Sequence, residues 1–187
     1  MKHQDARNVQ ERAERMLDAA QALFLENGLR GTTMEAIARR AKVAKPTLYA
    51  YFPDKTAVFQ AVIERVIGQL KEVTEAQFQA GGAPVERISR ALGAKFAAVY
   101  RLLEGSPHAL ELMTDKVLYA GDEFEALERW LTGGIATILQ EAGLKDAEER
   151  ARILVACADG LHHAARDAET LQAQIGFVTR RLLSDVA

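Results

Sequence analysis

Apolar residues recur along this 187-residue chain every three or four positions and do not alternate in twos, the pattern of helices and not of strands. Breaks fall at or near Gly28, Pro53, the Gly-Gly-Ala-Pro run from Gly81 to Pro84, Pro107, Gly121 and Gly143. They divide an all-α chain into nine predicted helices, over 8–27, 33–40, 45–51, 54–79, 84–103, 107–118, 122–142, 146–166 and 168–185. Asn8 and Glu11 read as a capping pair for the first. The fourth carries a stripe of Phe59, Val62, Ile63, Val66, Leu70 and Val73 for burial. At 1.5 Å per residue it would extend roughly 39 Å, enough to link two parts of the molecule.

The second and third predicted helices are short and joined by a tight turn, the layout of a helix-turn-helix that places one helix in the DNA major groove. Thr32 or Thr33 opens the second helix, and Thr32 with Glu35 three residues on fits a capping box. Met34, Ile37 and Ala38 form its apolar face, and Ala41, Lys42 and Val43 make the turn. Pro46 falls in the first turn of the third helix, where a missing amide hydrogen costs little. Leu48 and Phe52, four apart, share the face expected to be buried. That leaves Lys45, Thr47, Tyr49 and Tyr51 pointing outward, a cation and three hydroxyls able to reach phosphates or base edges. Asp54 is placed to cap the fourth helix, with Lys55 beside it.

Charge at first argues against nucleic acid, because 24 basic and 26 acidic residues leave a net of −2. The distribution reverses this: residues 1–62 carry +3 and residues 63–187 carry −5, so the positive end is the end with the helix-turn-helix. Cys157 is the single cysteine, which excludes an internal disulfide and any zinc module built on paired cysteines. The polar start lacks the apolar core of a secretory signal, and no run approaches the roughly 20 apolar residues of a membrane span. A cytoplasmic protein is expected.

The segments AAQALFLENG, TTMEAIARRAKVAKPTLYAYFPDK and AVFQAVI, from about Ala13 to Val62, carry the order Ile-Ala, Ala-x-Val, Thr-Leu-Tyr-x-Tyr-Phe and Asp-Lys. In this the chain resembles the tetracycline-repressor (TetR/AcrR-like) family of bacterial transcriptional regulators. The resemblance implies a nine-helix fold, with a DNA-reading domain over 1–53 and a ligand-binding, dimerising domain over 54–187 connected by the helix at 54–79. It implies a homodimer on a palindromic, double-stranded operator, released by a small, largely apolar effector. Thr33, Tyr49 and Lys55 would hold phosphates, while Lys45, Thr47 and Tyr51, with Pro46 between them, lie near base edges. Two positions depart from the family wording. Lys42 stands where glycine is common, in a turn that favours a left-handed backbone, and Ala44 stands where a serine often caps the reading helix.

Phe96, Tyr100, Met113, Tyr119 and Trp130 are bulky, partly polar side chains suited to the lining of an effector pocket, although an aromatic at helical spacing is more often core, the reading that fits Phe96. Gly93, Gly133 and Gly134 would leave ligand space, allow a kink or permit tight packing. The last two helices are assigned by resemblance to a dimeric four-helix bundle, with Leu171, Ile175, Val178 and Leu182 as the stripe of the ninth. Ala156, Gly160 and Ala164, four apart, let another helix approach closely, in the same subunit or in a second one. His162 and His163 diverge by about 100° around their helix, so Asp159 pairing with His163 is expected ahead of a metal site. No cofactor and no catalytic constellation is expected. The rival reading is a helical enzyme or binding module centred on Asp159, His162 and His163.

Overall fold

The structure, a computed structural model, describes residues 2–186, with side chains described over 7–115 and 118–186. Its elements are α1 (Lys2–Gly31), α2 (Met34–Arg40), α3 (Lys45–Tyr51), α4 (Lys55–Gln79), α5 (Pro84–Leu103), α6 (Ala109–Glu141), α7 (Ala147–Ala164) and α8 (Ala168–Leu182). Helix α6 breaks at Ala120 (φ −151°, ψ 33°), so its two arms stand for the sixth and seventh predicted helices and bring the described helices to nine. Helix α1 begins well before the expected start, which puts Asn8 inside it and not at its cap.

The chain forms two compact units, one of residues 1–66 with 105–121, the other of residues 67–104 with 122–187. The division therefore falls inside α4 and not at its start. In the first unit Met16, Ala20 and Phe24 of α1 meet a core that includes Ile37, Leu48, Val58 and Phe59. Phe24 and Phe59 pack edge to face at 5.3 Å, a favourable arrangement for two ring quadrupoles. Arg65 ties α4 to α1 through Asp18 at 2.7 Å, Glu14 at 3.2 Å and the side-chain carbonyl of Gln21 at 2.7 Å.

The end of α1 is held by side chains from other segments. Gly28 adopts φ 70°, ψ 173°, a conformation open to glycine, and breaks the helix there. The Thr32 hydroxyl donates to the Gly28 carbonyl at 2.8 Å, with the Leu23 carbonyl 3.1 Å away. The Ser106 hydroxyl donates to the Leu25 carbonyl at 2.7 Å, and Glu111 accepts the Arg30 amide at 3.4 Å. A Cβ on residue 28 would lie 2.5 Å from a Glu111 carboxylate oxygen, so the approach itself needs glycine. Glu111 also pairs with His108 Nδ1 at 2.9 Å, and that hydrogen bond, followed by the Arg30 amide, holds its carboxyl below the ordinary value.

The second unit has one core, built on Ile88, Leu92 and Phe96 of α5, Leu131, Ile135 and Leu139 of α6, Leu154 of α7, and Leu171 and Ile175 of α8. Helix α5 packs chiefly against α8 and also against α7. The buried stripe of α4 runs Ile63, Ile67, Leu70, Thr74 and Phe78, and Val73, expected inside, is 40% exposed. The steps of four, three, four and four through these residues centre the stripe near Thr74, and Val73, its neighbour in sequence, is turned about 100° away. Thr74 tolerates burial because its hydroxyl donates to the Leu70 carbonyl at 2.6 Å.

Gly134 and Gly133 are adjacent in α6 yet meet different surroundings. A Cβ on residue 134 would lie 2.6 Å from the Phe78 ring, whereas one on residue 133 meets nothing within 4 Å. Gly134→Ala is expected to cost about 1–3 kcal/mol by overpacking. Gly133→Ala is expected to stabilise by about 0.5–1 kcal/mol, since alanine restricts the unfolded chain and favours the helix. Urea unfolding of the two variants checks both signs.

Candidate nucleic-acid interface

Helix α2 starts where the Thr33 hydroxyl accepts the Ala36 amide at 3.1 Å. The cap is therefore Thr33, and Thr32, expected to form a capping box with Glu35, instead turns inward to the end of α1. After α2 the chain reverses tightly, with the Val43 amide donating to Ala38 O at 3.0 Å and Lys42 at φ 55°. Lys42 thus occupies the left-handed region that favours glycine, as the family resemblance implies, at a cost of roughly 1–2 kcal/mol.

Helix α3 opens on Ala44 with no side-chain cap and has Pro46 in its first turn. Leu48 is completely buried and clamps the helix inward, while Phe52 at its end is only half-buried. On the opposite side Lys45, Pro46 and Tyr49 are exposed, with Thr47 and Tyr51 half-buried. Lys45 pairs with Glu35 of α2, and its ammonium lies 5.7 Å from the centre of the Tyr49 ring. The shared hydrogen bond lowers the Glu35 carboxyl and raises the Lys45 ammonium from their ordinary values. A cation, a phenol and a hydroxyl thus share one side of a short, displayed helix.

Lys55 is placed differently from its neighbours. Its ammonium donates to the Thr32 carbonyl at 2.8 Å and lies 3.4 Å from the Arg30 carbonyl, so it closes the α1–α2 junction. Asp54 caps α4 as expected, accepting the Ala57 amide at 2.9 Å. Two groups escaped the sequence reading. Arg39 is an exposed cation at the end of α2, signalled only by the basic pair Arg39-Arg40, and Glu35 is the acid that meets Lys45.

The five aromatic and sulfur side chains singled out for a pocket are dispersed. Phe96 is core, with the His162 ring 5.8 Å away, and the Tyr100 hydroxyl donates to the Arg166 carbonyl at 2.6 Å. Trp130 packs against Phe78 at 6.0 Å. Met113 and Tyr119 belong to the other unit, where the Tyr119 ring meets Phe59 at 6.1 Å. On α7, Ala156, Gly160 and Ala164 are all exposed, and Ile153 joins them. Leu171 and Ile175, expected at a dimer interface, are instead closed inside the core of their own chain, because that face of α8 packs on α5 and α7. Val178 and Leu182 are half-buried, and Phe177, unremarked in the sequence, is 56% exposed. Phe177 and Val178 line an open groove of about 510 Å³ with Leu161, Ala173 and Gln174. Asp159 and His163 lie 3.5 Å apart on an exposed face, and no metal-holding group of three His, Cys, Asp or Glu occurs among the described residues.

The family model for bacterial regulatory proteins of the tetR family matches residues 16–62, from the middle of α1 into α4. The transcriptional repressor KstR of Mycolicibacterium smegmatis is 33% identical over 110 residues, which are 59% of this chain and 52% of that protein. The transcriptional regulator HbdR of an Aromatoleum species is 35% identical over 51% of this chain and 42% of its own. The chain thus spans about half the length of the curated relatives it matches. A TetR-like regulator from Rhodococcus sp. RHA1 of known crystal structure superposes with a TM-score of 0.69 at 26% identity, covering 92% of this chain and 96% of that one. A family-model match over the helix-turn-helix and a superposition covering 92% of the chain agree on one assignment: this chain belongs to the tetR family of bacterial regulatory proteins.

Proposed function

We propose that the protein is a ligand-responsive repressor that binds a palindromic operator as a homodimer in the cytoplasm and is released by a small, largely apolar molecule. The observation that carries this is α3 itself, clamped inward by Leu48 and offering Lys45 and Tyr49 to solvent. Two such helices in successive major grooves would stand roughly 34–36 Å apart. The naming of KstR as a repressor supports repression. Lys45, Thr47 and Tyr51 read base edges in this proposal, Thr33 and Tyr49 hold phosphates, and the exposed Arg39 joins them. Lys55 contributes by holding the α1–α2 junction. The dimer would form through the exposed face of α7, with Ile153, Ala156, Gly160 and Ala164, together with Phe177 of α8. An effector lowers operator affinity to the extent that it binds the two head spacings unequally, by about 5- to 150-fold for a coupling of roughly 1–3 kcal/mol.

In a mobility shift against DNA upstream of the gene, Lys45→Ala and Tyr49→Ala are expected to abolish the specific complex while helix content survives. Normal binding by both would overturn the docking of α3. Lys55→Met is expected to lower thermal stability as well, since removal leaves the Thr32 carbonyl without its donor, a loss of about 1–3 kcal/mol.

Glu35→Gln should free Lys45 from its ion pair. It is expected to tighten binding to non-specific DNA, where the freed ammonium meets phosphate and not a chosen base edge, and to steepen the logarithmic salt dependence by about one phosphate contact per subunit. Fluorescence anisotropy across a salt series measures the slope.

Gly160→Arg should leave the fold intact, because nothing lies within 4 Å of a Cβ there, and yet yield monomers. Light scattering at micromolar concentration decides it, and an intact dimer would remove Gly160 from the interface.

A further inference from the structure

Four polar or charged side chains are buried among the described residues: Thr32, Thr74, Asp115 and Thr179. The three threonines are satisfied, each donating to the carbonyl four residues back, on Gly28, Leu70 and Ile175. Asp115 is not. It is 7% exposed, its Oδ2 is sealed from solvent without a hydrogen-bond donor, and it forms no ion pair among the described residues. Burying a carboxylate oxygen without a partner costs far more than burying a threonine hydroxyl that has one, so a fold that keeps Oδ2 there calls for a partner beyond the described residues.

The surroundings define that partner. Asp115 lies in the arm of α6 before the break at Ala120, one turn after the buried Leu112 and one turn before Tyr119. The Tyr119 ring stands nearly perpendicular to that of Phe59 at 6.1 Å, and its carbonyl accepts the Gln60 side-chain amide at 3.0 Å. The face therefore presents one carboxylate, a phenol ring and aliphatic surface. A bare metal ion would need several more oxygen or nitrogen ligands, and no such group of acids, His or Cys occurs among the described residues. An organic ammonium needs only what is present, a carboxylate to accept its N–H bonds or balance its charge and an aromatic face to share it.

We propose that Asp115 is the recognition carboxylate of an effector site and that the effector carries a cationic nitrogen on an apolar body. The assignment rests on the ligand-responsive reading above and supplies the chemistry of its ligand.

The probes are 4-phenylbutylamine, charged at neutral pH, and 4-phenylbutan-1-ol, its neutral counterpart, titrated calorimetrically into the full chain. The amine is expected to bind about tenfold or more tighter, the scale of one charge-assisted hydrogen bond. In Asp115→Asn that preference should vanish. Equal affinities in the wild type, no amine binding at millimolar concentration, or an unchanged preference in Asp115→Asn would each overturn the proposal. A ligand-free measurement stands beside it: Asp115→Asn replaces the carboxylate whose Oδ2 lacks a donor and should melt at or above the wild-type temperature, whereas a clear fall would show that the carboxylate is already satisfied. Operator binding separates this site from the function it serves. Amine discrimination through Asp115 with the operator still held would uphold the cation site and overturn the effector reading, while discrimination accompanied by operator release supports both.

Discussion

The first unit depends on how α1 ends. Breaking a helix inside a protein leaves carbonyls and amides that need partners, and here they come from three separate stretches of chain. Thr32 serves Gly28, Lys55 serves Thr32, Ser106 serves Leu25, and Glu111 serves the amide of Arg30. Helix α2 begins directly after this junction and α3 follows it through the turn at Lys42, so the same hydrogen bonds fix where the helix-turn-helix starts. Glycine at 28 serves twice, through its positive φ and by leaving room for the Glu111 carboxylate.

Helix α3 is unusually dependent on that support. With seven residues and no side-chain cap at Ala44, it is far too short to be stable alone. Burial of Leu48 and the turn through Lys42 hold it, and Lys42 occupies a left-handed conformation that a glycine would adopt without strain. The consequence is a displayed surface whose chemistry is free of structural duty except at one point, the ion pair of Lys45 with Glu35. In the proposed complex, DNA and Glu35 compete for the same ammonium.

The second unit follows a different logic, with its apolar residues closed over one core by α5, α7 and α8. Aromatic side chains that suggest a pocket by composition are largely consumed in packing: Phe96 in the core, Trp130 against Phe78, and Tyr100 on the Arg166 carbonyl. Gly134 belongs to the same account, since it admits the Phe78 ring. What the unit leaves open is the small-residue face of α7 and the groove beside Phe177, surfaces suited to another helix. No helix among the described residues is long and apolar enough to cross a membrane.

The sequence by itself determined the helical class, the break near Gly28, the cap at Asp54 and the outward placement of Lys45 and Tyr49. All of these are written in local signals: periodicity, turn residues and spacings of three or four. It could not decide which of two adjacent threonines caps α2, because both have the hydroxyl and only packing against α1 sends Thr32 inward. Nor could it tell that Lys55 turns to a carbonyl, that Leu171 and Ile175 face their own core, or that Asp115 is buried without a donor. A side chain's partner is fixed by segments distant in sequence, and helical periodicity gives a residue's face without saying what covers it. Tertiary structure made those choices.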